Sequence, residues 1–128
     1  MKEIESYMVK SPYVGESAMK VGEALNLLRE YEIRHLPIVE DGELVGVVSE
    51  RDLREAAALP QADKLTVDDI MKSEVYVVRK ATPLRDVINE MIDRKVGSAV
   101  VVNSDREVLG IFTTTDALRI LAVSAKSM

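Results

Sequence analysis

Two short stretches of the chain carry the same three residue types at the same spacing. In each, a glycine is followed three positions later by a hydroxyl residue, and three positions after that by an aspartate. The stretches are Gly46, Ser49 and Asp52, and Gly110, Thr113 and Asp116. A hydroxyl and a carboxylate at this spacing form a capping-box-like helix start, and spacing alone favours that role. Both groups also offer the hydrogen bonds with which a ligand is bound.

Residue types that catalysis requires are scarce. The 128 residues include no cysteine and one histidine, His35, which excludes a thiol nucleophile and a histidine-based metal cluster. The net charge of −5 argues against nucleic-acid binding. No apolar run approaches the ~18 residues of a membrane span. We therefore expect a cytoplasmic protein with no catalytic residue, metal or cofactor, and with neither nucleic acid nor membrane as a partner.

The chain is a duplicated unit of roughly 60 residues. Shifting the sequence by 63 positions superimposes its apolar pattern, so that Met8 falls on Met71 and Tyr13 on Tyr76. After the turn in the middle of the unit the offset becomes 64, because the second copy carries one extra turn residue. The predicted division is a first unit over residues 1–58, a linker over 59–65 and a second unit over 66–128.

Each unit is predicted to have the element order β-α-β-β-α. Apolar residues at helical spacing indicate the helices, and turn residues between apolar runs indicate hairpins. Thr82 is predicted to be the N-cap of the second unit's first helix, with Pro83 at its first helical position. The predicted elements are extended segments near 13–14 and 75–78, helices over about 20–31 and 83–94, hairpin turns at 41–42 and 103–106, and helices over about 50–58 and 114–123.

The strands are continuous apolar runs, of which Ala99–Val102 is an example. Such strands are covered on both faces, and one small unit cannot cover them alone. We therefore expect an α+β fold in which two units, related by pseudo-two-fold symmetry, pack sheet against sheet.

The stretch from Arg34 to Leu53 closely resembles the second half of a CBS domain, as does the stretch from Gly110 to Leu118. Asp69-Ile70-Met71 resembles the opening of the same family, and duplication is a habit of that family. The resemblance implies a non-catalytic regulatory module with clefts for AMP, ADP, ATP or S-adenosylmethionine. It also implies a homodimer that acts on another protein, and the apolar stretch Leu118–Val123 suits a dimer interface or packing within the monomer.

The family's ligand motif, Gly-h-x-(Ser/Thr)-x-x-Asp with h apolar, is matched by both stretches described first. The aspartates, Asp52 and Asp116, are expected to accept hydrogen bonds from ribose hydroxyls. The hydroxyls of Ser49 and Thr113 are expected to donate to phosphate at a helix start. The glycines would let the ligand approach the strand closely.

The two copies differ in positive charge. The resemblance assigns phosphate contacts to Arg34 and His35, and Arg51 lies inside the motif; solvated surface charges or a half-buried strand histidine are the structural alternatives. The second copy has Gly97, Ser98 and Thr115 at these places. We therefore expect one cleft to suit a charged ligand much better than the other.

The adenine base is expected to meet apolar and backbone groups of the extended segments and strands. The candidates are Val14, Pro37, Val77 and Ala99, with Leu36 and Val100 beside them. Tyr13 and Tyr76 could stack on the base, and for one of the two a core position with its hydroxyl in water is preferred.

Two functions from different classes remain open. The first is a sensor whose nucleotide occupancy shifts an interface with a partner. The second is a dimerisation scaffold with vestigial clefts, which the weaker second copy favours. An enzyme is set aside, because no activated nucleophile or general base accompanies His35.

Overall fold

The computed structural model describes residues 2–126. In chain order the strands are β1 (Val9–Lys10), β2 (Gly15–Glu16), β3 (His35–Glu40), β4 (Glu43–Ser49), β5 (Val77–Val78), β6 (Ser98–Val102) and β7 (Val108–Thr113). The helices are α1 (Val21–Glu30), α2 (Glu50–Ala57), α3 (Val67–Ile70), α4 (Leu84–Arg94) and α5 (Thr114–Ala125), with 3-10 turns at Ile4–Ser6 and Ala62–Lys64.

The chain forms two compact units that do not follow the sequence repeats. One unit is Tyr13–Val75, and the other combines the chain up to Pro12 with the chain from Tyr76 onward. The opening segment joins the second repeat because its strand β1 pairs antiparallel with β7. Ile4, which has no exposed surface, packs in the same core cluster as Phe112.

The unit Tyr13–Val75 contains a three-stranded sheet of order β2-β3-β4. Strand β2 runs parallel to β3, and β3 and β4 form an antiparallel hairpin. Asp41 and Gly42 turn the hairpin with φ angles of 52° and 81°, the left-handed region that an Asp-Gly turn adopts. Helices α1, α2 and α3 bury their apolar faces against this sheet, around Leu36 and Leu53. Strand β4 of the hairpin ends at Ser49, and α2 begins at the next residue, Glu50.

The other unit contains a four-stranded sheet of order β1-β7-β6-β5. Every residue of β6 is buried, as its continuous apolar pattern predicted. Helices α4 and α5 belong to the same unit as this sheet, but no residue of α5 is buried. The element order β5-α4-β6-β7-α5 repeats the order β2-α1-β3-β4-α2, which confirms the predicted α+β class and element order.

The structure corrects two local predictions. Pro83, with ψ at 137°, occupies the N-cap of α4, so the prediction that Thr82 is the N-cap was wrong. The strand before α1, β2, lies at Gly15–Glu16 instead of near residues 13–14, and it is residues 15 and 16 that pair with β3. The hairpins and the remaining helix starts lie within two residues of their predicted positions.

Candidate functional site

The candidate site is built where the β3–β4 hairpin meets α2. Ser49 ends β4 with extended backbone, and its Oγ accepts a hydrogen bond from the backbone N–H of Asp52 at 3.1 Å. His35, at the start of β3, lies opposite Ser49 in the sheet register. The backbone N–H of Glu50 donates to the carbonyl of Arg34 at 2.8 Å. These bonds hold the first turn of α2 against the start of β3.

An open cleft of about 720 Å³ lies at this junction. This volume falls in the range of small-molecule sites, roughly 300–1,000 Å³. The cleft is lined by Arg34, His35, Ser49, Glu50, Arg51, Asp52, Arg54, Glu55 and Lys72. It therefore brings together, within one unit, the predicted ribose, hydroxyl and phosphate-contacting residues of the first repeat.

The charges around the cleft are unevenly paired. Arg51 Nε lies 3.4 Å from Glu55 Oε1, and Arg54 Nε lies 3.6 Å from Glu50 Oε1. Because these pairs lie on the exposed surface of α2, solvent screens them and they contribute little to the free energy of unfolding. Arg34 and Lys72, by contrast, make no salt bridge with any carboxylate of residues 2–126. The cleft therefore holds two positive charges that form no ion pair with the acidic side chains of residues 2–126.

The carboxylate of Asp52 is not used by the fold. Its backbone N–H bonds to Ser49, but its side-chain oxygens accept no hydrogen bond from the residues that the structure describes. The residue three positions on is Glu55, which cannot pair with a carboxylate. Asp52 is half-buried in the cleft wall and remains able to accept two donors from a ligand.

The second repeat uses its aspartate differently. Asp116 Oδ2 accepts the backbone N–H of Thr113 at 2.9 Å, and Thr113 Oγ1 accepts the N–H of Asp116 at 3.4 Å. Asp116 Oδ1 lies 3.5 Å from Arg119 Nη1, the residue at the position of Glu55. The predicted capping box is therefore complete here, and both oxygens of Asp116 are engaged. Thr115 is exposed and adds no charge.

His35 is half-buried between charged neighbours. Burial is the main reason its pKa lies below the usual value for histidine, and the positive charges of Arg34 and Lys72 lower it further. Asp52 acts in the opposite direction and raises the pKa. The imidazole is therefore neutral at pH 7, with one nitrogen able to donate a hydrogen bond and the other able to accept one.

Sequence reasoning missed Lys72. The segment after α3 returns to β4, where the N–H of Val47 donates to the carbonyl of Lys72 and the N–H of Lys72 donates to the carbonyl of Val47, both at 3.0 Å. This backbone bridge places Lys72 at the cleft. The sequence repeat could have indicated Lys72. Met71 corresponds to Met8, so the residue after each methionine is expected to lie beside the strand that carries the motif glycine.

The motif glycines are covered by protein atoms. A Cβ added to Gly46 would lie 2.5 Å from Met71 Sδ, and 3.0 Å from the carbonyl oxygen of Lys72. Gly110 meets the side chain of Met8 in the same way. The close approach of a methionine therefore explains, by packing alone, why each of these positions is a glycine. The approach of a ligand to the same glycines stays a prediction.

The residues predicted to meet adenine are not among those that line the cleft described above. Pro37 and Ala99 are buried in their own units, Val77 is half-buried, and Val14 is exposed. Tyr76 is 9% exposed, which confirms the core position preferred for one of the two tyrosines. Tyr13 is 49% exposed and stacks on Tyr31, with ring centroids 3.9 Å apart.

The comparison with protein families agrees with the repeat and the motifs. The model of the CBS domain matches residues 2–59 and again residues 67–123. The chain belongs to the CBS domain family. The chain is 30% identical over 118 residues to the L-aspartate semialdehyde sulfurtransferase of Methanocaldococcus jannaschii, covering 91% of this CBS chain and 23% of the relative. It is 26% identical to the inosine-5′-monophosphate dehydrogenase of the same organism, covering 93% of this chain and 23% of that enzyme.

Solved structures of CBS proteins resemble the whole chain. A CBS domain pair crystallised with 5′-methylthioadenosine and S-adenosyl-L-methionine has a TM-score of 0.88 and 28% identity, covering 97% of this chain and 98% of that one. The protein CBSX2 in complex with AMP has a TM-score of 0.82 and 29% identity, covering 98% and 99%. These likenesses extend over nearly the full length of both partners.

The CBS chain spans about a quarter of the length of the curated relatives named above, 23% in each case. The remaining three quarters of each relative lie outside the matched region. Within residues 2–126, no helix combines the length and apolar character needed to cross a bilayer.

Proposed function

We propose that this CBS pair is a regulatory module that binds an adenine nucleotide or S-adenosylmethionine in the cleft of unit Tyr13–Val75 and does not itself catalyse a reaction. The observation that carries the proposal is the unengaged carboxylate of Asp52, in a cleft that also holds the unpaired cations Arg34 and Lys72. AMP, ADP and ATP are the nucleotides proposed. Because these are metabolites of the cytoplasm, we propose a cytoplasmic location with them.

The chemistry of the cleft suits the two polar parts of a nucleotide. Two vicinal ribose hydroxyls donate hydrogen bonds, and a carboxylate with two open oxygens accepts both. A phosphate needs donors and positive charge, which Arg34, Lys72 and the start of α2 supply. Ser49 is already bonded to the N–H of Asp52, but its hydroxyl proton remains free to donate to phosphate.

The solved relatives support the same ligand class. CBSX2 was crystallised with AMP, and the other CBS pair with 5′-methylthioadenosine and S-adenosyl-L-methionine. All three compounds contain adenosine. The three compounds share the adenine base and the ribose, and the ribose is the part that Asp52 is proposed to hold.

The direct test is thermal unfolding of the purified chain with AMP, ADP, ATP, S-adenosylmethionine, NADH or buffer. A ligand at a hundred times its dissociation constant stabilises the native state by about 2.7 kcal/mol. At roughly 2–4 °C per kcal/mol this raises the melting temperature by several degrees. The Asp52→Ala variant is expected to lose the rise, whereas Asp116→Ala keeps it. No rise with any adenine compound, for a chain shown to be folded, contradicts the proposal.

A second candidate function, a dimerisation scaffold, is favoured by the exposed apolar face of α4 and α5. Ile92 is 65% exposed, Leu118 64%, Leu121 55% and Val123 68%. Large exposed apolar patches mark interaction surfaces. The groove between these helices is lined by apolar side chains apart from Thr114 and Ser124, so it offers no charge to a charged partner. A second copy brings the same apolar face, and we propose a homodimer through it.

The sensor and scaffold functions differ in what the ligand does. In a sensor, the nucleotide changes the dimer or the affinity for a regulated protein. In a scaffold, the dimer forms and the thermal panel stays flat. The sensor is the better supported of the two, because Asp52, Arg34 and Lys72 leave hydrogen-bonding and charged groups open that a vestigial cleft would not need.

A further inference from the structure

We propose that Lys72 is the specificity residue by which the cleft selects an adenosine 5′-phosphate over an adenosine thioether. This inference rests on the proposed adenosine-binding function and narrows it to the phosphorylated class. It goes beyond the CBS motif, because Lys72 lies outside the stretch that carries that motif and reaches the cleft through the segment after α3.

The backbone of Lys72 is held in place on two sides. Its N–H and carbonyl both bond to Val47 of β4 at 3.0 Å, and the preceding Met71 packs against Gly46 of the same strand. The side chain is exposed, so moving its ammonium towards a ligand in the open cleft costs no buried contact. A flexible stem on a fixed backbone suits a phosphate, which Lys binds as a point charge.

The charge balance of the cleft favours an anion. Arg51 and Arg54 are paired with Glu55 and Glu50 along α2. Lys72 and Arg34 remain unpaired among residues 2–126, and both lower the pKa of His35 between them. With four cationic and three acidic side chains, the cleft carries a net charge of +1, and Arg34 and Lys72 are the cations left open for the oxygens of a phosphate. A thioether carries no charge to use them, and a sulfonium carries a charge of the wrong sign.

The other repeat provides an internal contrast. The residue that corresponds to Lys72 is Val9, which lies opposite Ile111 of β7 as Lys72 lies opposite Val47 of β4. The strand pairing is thus conserved between the repeats while the charge is not. Lysine at this place is therefore not required by the bridge, which leaves its charge to be explained by the cleft.

Isothermal titration calorimetry with AMP and with 5′-methylthioadenosine tests the inference, since the two ligands share adenosine and differ at the 5′ group. The wild-type chain is expected to bind AMP more tightly. Lys72→Met is expected to weaken AMP binding by about tenfold, the loss of one charge-assisted contact, and to leave 5′-methylthioadenosine unchanged. Lys72→Arg keeps the positive charge and is expected to retain most of the AMP preference.

Lys64→Met is the matched control, because Lys64 is an exposed lysine of the same unit that does not line the cleft. It is expected to change neither affinity. An unchanged AMP preference in Lys72→Met overturns the inference alone, because adenosine binding persists. An equal loss of both ligands also overturns it and assigns Lys72 a structural role. Failure of the wild-type chain to bind either compound overturns the proposed function and the inference together.

Discussion

Asp116 Oδ2 accepts a hydrogen bond from the backbone N–H of Thr113 at 2.9 Å and so closes the first turn of α5. Ser49 and Asp52 occupy the same places at the start of α2, yet there only the N–H of Asp52 bonds to the serine hydroxyl. The motif that the two repeats share is therefore used in two ways. One aspartate caps its helix, and the carboxylate of the other accepts no hydrogen bond from residues 2–126.

This difference predicts unequal stability losses. Asp116→Ala removes the capping bond and the contact with Arg119, whereas Asp52→Ala removes no side-chain hydrogen bond. Both variants lose an acidic group in the first turn, so that effect cancels in the comparison. Asp116→Ala is expected to lower the free energy of unfolding by about 1 kcal/mol more than Asp52→Ala. Urea denaturation of both variants measures it, and equal losses would contradict the assignment.

The contact between Gly46 and Met71 predicts a steric cost for any side chain on the glycine. Gly46→Ala is expected to lower the free energy of unfolding by roughly 1–3 kcal/mol, the usual cost of overpacking. Adding Met71→Ala gives the new methyl group room, so the double variant should lose less than the sum of the two single losses.

The control for that cycle is Gly22→Ala, because a Cβ at Gly22 of α1 meets no atom within 4 Å. It is expected to be neutral or slightly stabilising, since alanine favours helix over glycine. Denaturation midpoints of the four variants give the comparison. Strict additivity of Gly46→Ala and Met71→Ala would show that the methionine does not restrict the glycine.

The parts of the fold that sequence predicted are those set by local pattern. The turn at Asp41-Gly42, the caps at Ser49 and Thr113 and the buried run of β6 all follow from residue types within a few positions of one another. The pairing of β1 with β7 could not be predicted in this way. It joins residues about a hundred positions apart, and a two-residue strand carries no periodicity.

The candidate site shows the same difference between local features, which the sequence predicts, and non-local contacts, which it does not. Its motif residues were identified from their types, but the motif letters do not tell whether the aspartate is free or engaged. Asp116 bonds to the N–H of Thr113 and contacts Arg119 three positions later, where the first repeat has Glu55, and the motif letters are the same in both repeats. Lys72 was missed because its place at the cleft depends on a backbone bridge to Val47, a non-local contact.

The lowered pKa of His35 predicts that the folded chain loses stability when the solution is made mildly acidic. Its pKa in the folded chain lies below the ordinary value of about 6.5, so the unfolded chain takes up the proton more readily. The stability that the neutral imidazole contributes is complete above about pH 6.5, the ordinary pKa of histidine. It is lost as pH falls from about 6.5 towards the lower folded pKa, below which it changes no further. Arg34 and Lys72 face the imidazole and strengthen the effect, while Asp52 opposes it.

The measurement is the free energy of unfolding between pH 8 and pH 5 for the wild type and for His35→Gln. The variant has no titrating group at this position, so its stability should fall less over the interval about pH 6.5 to 5. Parallel curves for the two proteins would mean that His35 takes up its proton equally well in the folded and unfolded chains.

The exposed face of α4 and α5 predicts a surface through which the chain dimerises. Leu118 and Leu121 are more than half exposed, and burying side chains of this kind contributes roughly 1.5–3 kcal/mol each. Leu121→Glu places a charge in that face and is expected to shift the protein from dimer to monomer in sedimentation velocity. Leu59→Glu is the matched control, because Leu59 is 54% exposed but lies outside the groove. A wild-type monomer at all concentrations, or equal dissociation by both variants, would argue against this face as the interface, because its exposed leucines would then have no special part in association.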